Sequence, residues 1–281
     1  RACPRTPHLP RRARSLNEPS AGANRVYLVD ANIYAHRAFE RDPFADSTTR
    51  AQGHSGTCAA HALENFADNL ARLCALAAGN RLILVFDGPD SRRLRQAIDP
   101  TYKANRNPAS QARRWHLSCC RRLCGELGIE TWISVGVEAD DVIATLAATY
   151  RQACLPSTVV SADKDLLQVL ATPADRWLDT SNGRSLDVVA VRKRFGVEAD
   201  MLAELWALIG DAVDNIPGVP GLTRPAAAFA LRRLGGLQRL LDQPDRLREL
   251  GLKRGARLPG LVEEHRAQIH TAFDLARARI D

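Results

Sequence analysis

Four short β-branched stretches of this chain each run directly into carboxylates. RVYLVD ends on Asp30, and RLILVFD ends on Asp87. ETWISV leads into Glu138, Asp140 and Asp141, and STVVSAD ends on Asp163 with Asp165 two residues further on. Helical patterns lie between them, from about residue 59 to 78 and from about 111 to 127. Strands alternating with helices at this spacing imply an α/β fold, a mainly parallel sheet flanked by helices. In an open parallel sheet the C-terminal strand ends share one edge, where ligands bind. Carboxylates far apart in sequence are therefore expected to meet there. One Asp after a strand or in the first turn of a helix is ordinary turn chemistry or dipole complementarity. The same coincidence at all four strand ends favours a shared site. Glu138, Asp140 and Asp141 fall within four positions, and like charges this close repel unless a cation sits among them.

The 281 residues carry a formal charge of +7, which suggests a polyanionic partner. The excess is concentrated. Between Gly88 and Cys124, nine basic residues (Arg92, Arg93, Arg95, Lys103, Arg106, Arg113, Arg114, Arg121, Arg122) face two acids, Asp90 and Asp99. A run this lopsided beside acid clusters favours nucleic acid over a merely solvated face. No apolar run reaches the roughly 20 residues of a membrane-spanning helix, and no membrane partner is expected. The seven cysteines form no CxxC pair, so neither a disulfide framework nor a zinc site is indicated. His116, Cys120 and Cys124 share a helical spacing, read as packed, reduced thiols suited to a cytoplasmic location.

Residues 1–24, rich in Pro, Arg, Ser and Ala without periodicity, are expected to be a disordered basic tail. Residues 25–190 hold the strand–helix alternation. Residues 191–281 read as helices joined by short Gly/Pro loops, and their clearest feature is LIGDAVDNIPGVPGL, residues 208 to 222. Asp211 and Asp214 are three apart and share a face on a helical turn.

The segments VDANIYAHRAF, FDG with YKANR, GVEADDVIATLA, SADKDLLQVL and GDAVDNIPGVPG together resemble the 5′-3′ exonuclease and flap endonuclease family, which includes the 5′-nuclease domain of bacterial DNA polymerase I. The resemblance implies a PIN-like catalytic domain over 25–190 with a basic arch, and a C-terminal helix–three-turn–helix subdomain over 191–281. It implies a metal site at Asp30, Asp87, Glu138, Asp140, Asp141, Asp163, Asp165, Asp211 and Asp214, none of which is replaced. Two or more Mg²⁺ or Mn²⁺ ions are the implied cofactors, consistent with the all-oxygen ligands hard cations prefer. Lys103 and Arg106 are implied to act on the scissile phosphate. Arg37, Arg95, Arg113 and Arg114, with Gly218, Val219, Gly221 and Arg224 of the turn, are implied to contact DNA. Val219 and Leu222 are implied to hold a K⁺ ion. Four lysines stand among 39 basic residues, and one of them is Lys103. Since Lys and Arg are not interchangeable, its retention in so Arg-biased a chain supports a chemical role.

The implied substrate is DNA with a 5′ end or flap, cut in replication or repair by a monomeric bacterial protein associated with the nucleoid and linked to a DNA polymerase. The turn departs from the family pattern, reading GLTRPAA, so that Thr223, Pro225 and Ala226 replace the usual Gly, Lys and Thr. Thr223 is expected to cap the next helix through its hydroxyl. Two other readings share parts of the pattern: a PIN-type ribonuclease, disfavoured by Asp211 and Asp214, and a non-catalytic DNA-binding protein, disfavoured by the intact acid set.

Overall fold

A computed structural model describes residues 24–42, 55–252 and 255–280. The expected basic tail lies outside the described residues, apart from Asn24. The sheet has six strands, β1 (Val26–Asp30), β2 (Arg81–Phe86), β3 (Glu130–Ile133), β4 (Ser157–Val160), β5 (Arg176–Asp179) and β6 (Arg184–Leu186), in the order β3-β2-β1-β4-β5-β6. Strands β1 to β5 run parallel, and β6 returns antiparallel to β5. The last two strands were not apparent in the sequence, because RWLD and RSL are short and carry little β-branched character.

Helices α1 (Ala31–Glu40), α2 (Ser55–Leu76), α3 (Arg93–Ile98), α4 (Gln111–Glu126) and α5 (Ala139–Gln152) are interleaved with the strands. After β6 the described chain is helical: α6 (Val188–Phe195), α7 (Leu202–Ile209), α8 (Arg224–Leu234), α9 (Leu237–Asp242), α10 (Leu258–Glu264) and α11 (Arg266–Ala276), with short 3₁₀ turns between.

Side chains alternate across each strand with period two, and this sorts the core into two layers. Val26 and Leu28 of β1, Ile83 and Val85 of β2 and Val159 of β4 enter one buried cluster. That cluster continues without a break through α5 to Leu202, Leu231, Ile269 and Leu275 of the helical region. Val29, Leu84, Phe86 and Val160 enter a second cluster with Tyr34 of α1, Phe66 of α2 and Cys120 and Cys124 of α4. The helical region is thus welded to one sheet face. His116 is buried beside these thiols, its Nε2 3.0 Å from the Ala35 carbonyl and 3.3 Å from Cys120 Sγ. Burial pushes the Cys120 thiol well above its usual range, which fits a packed, protonated thiol.

Between α7 and α8 the chain makes a tight double turn. Asp211 and Ile216 exchange backbone hydrogen bonds of 2.8 Å, and Val219 N donates to Leu208 O. A Cβ on Gly218 would lie 2.3 Å from the carbonyl of Ile209, so only glycine permits this approach. Gly221 serves differently, through its left-handed φ of 77°. Thr223 occupies the N-cap of α8, but its side chain makes no capping bond, contrary to expectation. Its extended backbone (ψ 153°) starts the helix, with Pro225 in the first turn, where a missing N–H costs nothing.

Candidate active site

The carboxyl edge of the sheet gathers the strand-end acids. Asp30 ends β1 and accepts from Ser161 Oγ at 3.1 Å, just past β4. Asp87 follows β2. Its carboxylate accepts from Asn32 Nδ2 and from the amide of Ala139, at 2.7 Å, at the head of α5. Asp163 accepts from the amide of Asp165 at 2.9 Å, which turns the chain into the 3₁₀ segment Lys164–Val169.

Among the described residues, four cationic side chains pair directly with this acid set. Lys103 is 6% exposed, with Nζ donating to Glu138 Oε1 at 2.7 Å and lying 3.4 Å from Asp214 Oδ2. Arg106 donates to Asp214 Oδ1 at 2.6 Å. Lys164 pairs with Asp165 at 3.0 Å and with Asp211, above the Trp206 ring. Arg95 grips Asp141 with both Nη atoms, at 2.7 and 2.8 Å. Tyr102 adds a neutral donor, 2.8 Å from Glu138 Oε2 and 3.3 Å from Asp214 Oδ2. The loop carrying Tyr102 and Lys103 is fastened to the Asp211–Asn215 turn by backbone and side-chain bonds. Lys103 N donates to Asp214 O, Asn105 to Ala212 O and Asn215 to Thr101 O. Lys103 is held at φ 53°, a conformation that L-residues avoid and that recurs where function over-determines the backbone.

The carboxylates divide by whether a cation serves them. Burial would raise Glu138, yet Lys103 and Arg95 outweigh it and hold its pKa below the usual carboxylate range. No cationic side chain forms an ion pair with Asp30 among the described residues. Burial, then Asp87 and Asp163, push it up to about 7. Burial, then Asp163 and Asp30, push Asp140 well above the ordinary range. Burial, then Asp163, raise Asp165 to about 7 despite Lys164. Asp87 is raised chiefly by burial. Nine carboxylates against four paired cations leave an excess of five negative charges when all are ionised, centred on Asp30, Asp87, Asp140 and Asp163. Beside them Asn32, whose Nδ2 meets Asp87, has a buried Oδ1 with no hydrogen-bond partner among the described residues. An all-oxygen donor set of this charge fits hard divalent ions. Among the described residues no three carboxylates stand in metal-ligating geometry.

The family model for the 5′-3′ exonuclease, N-terminal resolvase-like domain, matches residues 25–196. The chain belongs to this 5′-3′ exonuclease family. It is 33% identical to flap endonuclease Xni of Serratia proteamaculans, over 71% of this chain and 76% of the relative. It is also 33% identical to DNA polymerase I of Pseudomonas aeruginosa, over 91% of this chain. There the chain spans only 27% of the relative's length. Among solved structures, the bacteriophage T5 D15 flap endonuclease in a pseudo-enzyme-product complex with DNA and metal ions superposes with a TM-score of 0.68 at 18% identity, covering 90% of this chain and 88% of that one.

Two residues of this 5′-3′ exonuclease family member are held in this structure by partners other than those expected. Arg95 was expected to meet substrate phosphate. It is 4% exposed, and its donors are spent on Asp141, on Leu275 O at 2.9 Å and on Arg277 O at 3.1 Å. Asp141 was expected to ligate metal. Its Oδ1 accepts from Arg95 and the amide of Arg279, and its Oδ2 from Arg95 and the amide of Glu138. These four bonds fill the roughly four acceptor positions of a carboxylate.

The remaining basic residues lie at varied exposure. Arg37 is half-buried, with Nη1 3.9 Å from Asp179. Arg113 reaches Glu40 at 3.4 Å and stacks over Phe39. Arg114 is exposed. Arg121, seven residues on and thus on the same face of α4, donates to the Asp87 carbonyl. In the turn, Gly221, Thr223, Arg224 and Pro225 are exposed, while Val219 is buried. Val219 O accepts from Leu222 N at 3.2 Å. Sequence reasoning missed Asn32, Ser161, Tyr102 and Gln168, neutral side chains that carry no charge signal. The lysine of SADKD stood out as a rare retained Lys, but Lys164 was assigned no role in the site.

Proposed function

We propose that this protein is a divalent-metal-dependent 5′-nuclease that hydrolyses DNA phosphodiesters at 5′ ends or 5′-flap junctions during replication or repair. Water adds to phosphorus, the bond to the 3′ oxygen breaks, and the products carry a 5′-phosphate and a 3′-hydroxyl. The observation that carries this reading is the uncompensated carboxylate cluster at one sheet edge, bordered by Lys103 and Arg106. Two Mg²⁺ or Mn²⁺ ions bring four positive charges to an excess of five negative ones. When bound, such ions activate the attacking water and stabilise the leaving oxygen. Asp30, Asp87, Asp140 and Asp163 would hold them, with Glu138, Asp165, Asp211 and Asp214 completing or orienting the set. Lys103 and Arg106, which border the acid set, would supply the cationic donors to the phosphate.

Arg37, Arg113 and Arg114 serve the single strand. The exposed turn with Gly218, Gly221 and Arg224 serves the duplex, and K⁺ is held by the carbonyls of Val219 and Leu222. We assign catalysis to residues 25–190 and duplex binding to 191–281. The protein acts as a monomer in the bacterial cytoplasm, at the nucleoid, in a pathway shared with a DNA polymerase. Cleavage of a 5′-flap DNA, a blunt duplex and single-stranded RNA in Mg²⁺ tests the substrate class. Cutting near the flap junction is expected. Preferred cutting of RNA, or none of the three, overturns the proposal.

The raised carboxyls give the metal-free protein a defined pH dependence. Asp30 and Asp165 titrate near 7 in the folded state, against about 3.9 when unfolded. The native state therefore binds more protons between those limits, and the stability they contribute is lost as pH rises through 7. Divalent ions replace those protons. The rise in Tm produced by saturating Mg²⁺ is thus expected to be larger at pH 8 than at pH 5.5, read by thermal denaturation with EDTA controls. Equal rises at both pH values would mean that these carboxyls do not meet the ion.

A further inference from the structure

Arg95 and Asp141 form a buried ion pair, each residue 4% exposed, and the backbone around them comes from the far end of the described chain. Helix α11 ends at Ala276, and Arg277 turns extended (φ −74°, ψ 134°). The stretch from Leu275 to Arg279 then crosses the head of α5. Its carbonyls at Leu275 and Arg277 accept from Arg95, and its amide at Arg279 donates to Asp141 at 2.9 Å. Gln168 fastens the same stretch from the other side, donating to Ala276 O at 3.1 Å and accepting from Ala278 N at 2.8 Å.

A buried ion pair contributes little net stability compared with apolar packing, so its presence calls for another use. The geometry supplies one. Asp141 Oδ2 accepts the amide of Glu138 at 3.1 Å, and Arg95 Nη1 lies 3.1 Å from Glu138 Oε2. Asp140, between them in sequence, is thereby fixed at both sides. Leu275, Ala276 and Ala278 also wall a cavity of about 20 Å³ lined by Arg95, Glu138 and Asp165, room for one water.

We propose that Arg95, Asp141 and the backbone strap Leu275–Arg279 are positioning elements of the acid cluster, setting Glu138 and Asp140 for divalent-ion capture without touching DNA. This rests on the metal-dependent reading above and deepens it. The test uses the 281-residue chain with two substitutions. Arg95→Lys keeps the charge and loses the two-pronged grip. Gln168→Leu frees the strap from the side remote from Arg95. Mn²⁺ binding to DNA-free protein is read by calorimetry, and flap-DNA affinity in EDTA is read at two salt concentrations.

Mn²⁺ affinity is expected to fall about tenfold or more in Arg95→Lys, and by a smaller factor in Gln168→Leu. DNA affinity and its salt dependence stay at parental values in both. Unchanged Mn²⁺ affinity in folded Arg95→Lys overturns the proposal. So does a salt slope reduced by about one, the mark of a lost phosphate contact. Should Arg95→Lys fail to fold, unchanged Mn²⁺ affinity in Gln168→Leu overturns it equally. A parent that binds Mn²⁺ yet cuts no DNA sinks the nuclease reading and leaves the positioning result standing. A parent that binds no Mn²⁺ sinks both.

Discussion

Asp140→Asn is expected to lower the single-turnover rate of flap cleavage by about a thousandfold, close to 4 kcal/mol of transition-state stabilisation, while leaving the fold intact. Asp140 stands with Asp163, Asp30 and Glu138 around it, and no cationic side chain forms an ion pair with it among the described residues. Replacing its carboxylate with an isosteric amide removes a ligand for a divalent ion. It also removes repulsion from its neighbours, so the metal-free variant should melt no lower than the parent. The two halves of the expectation work against a trivial explanation. A variant that lost activity by unfolding would melt lower. Cleavage at the parental rate across a Mg²⁺ series would remove Asp140 from the site.

Lys103→Ala should cost nearly as much by a different route. Lys103 holds the only ammonium that touches both Glu138 and Asp214 among the described residues. Burial would lower its pKa, but Glu138 and Asp214 raise it above the usual lysine value, so it enters the reaction charged. Removing one such donor from a water-poor site costs about 3 kcal/mol, on the order of a hundredfold in rate. Binding of flap DNA should change far less than the single-turnover rate. Unlike Asp140→Asn, this variant should melt lower without metal, because Glu138 and Asp214 lose a buried partner. A single-turnover rate equal to the parent's would show that Lys103 serves only the fold.

The sheet edge was legible because its strands are β-branched runs that stop at carboxylates, and parallel topology then brings those stops together. The ninety-odd helical residues were legible only as helices. Their weld to the sheet face is a matter of which apolar positions meet, and periodicity does not encode that. The same limit applies to Arg95 and Asp141. Asp140 and Asp141 are neighbours in sequence but about 100° apart on a helix, so one meets the acid cluster and the other meets Arg95. Charge alone could not separate them. Nor could it show that Arg95, inside a strongly basic run, turns inward to the carbonyls of Leu275 and Arg277, some 180 residues away.

The central claim is that carboxylates from separate strand ends form one divalent-ion site. Anomalous diffraction from crystals grown with Mn²⁺ tests it directly. Mn²⁺ peaks are expected within ligating distance of Asp30, Asp87, Asp140 and Asp163, with none bonded to Asp141. A metal-loaded crystal with those four carboxylates free of Mn²⁺, or with the ion bound to Asp141, would contradict it.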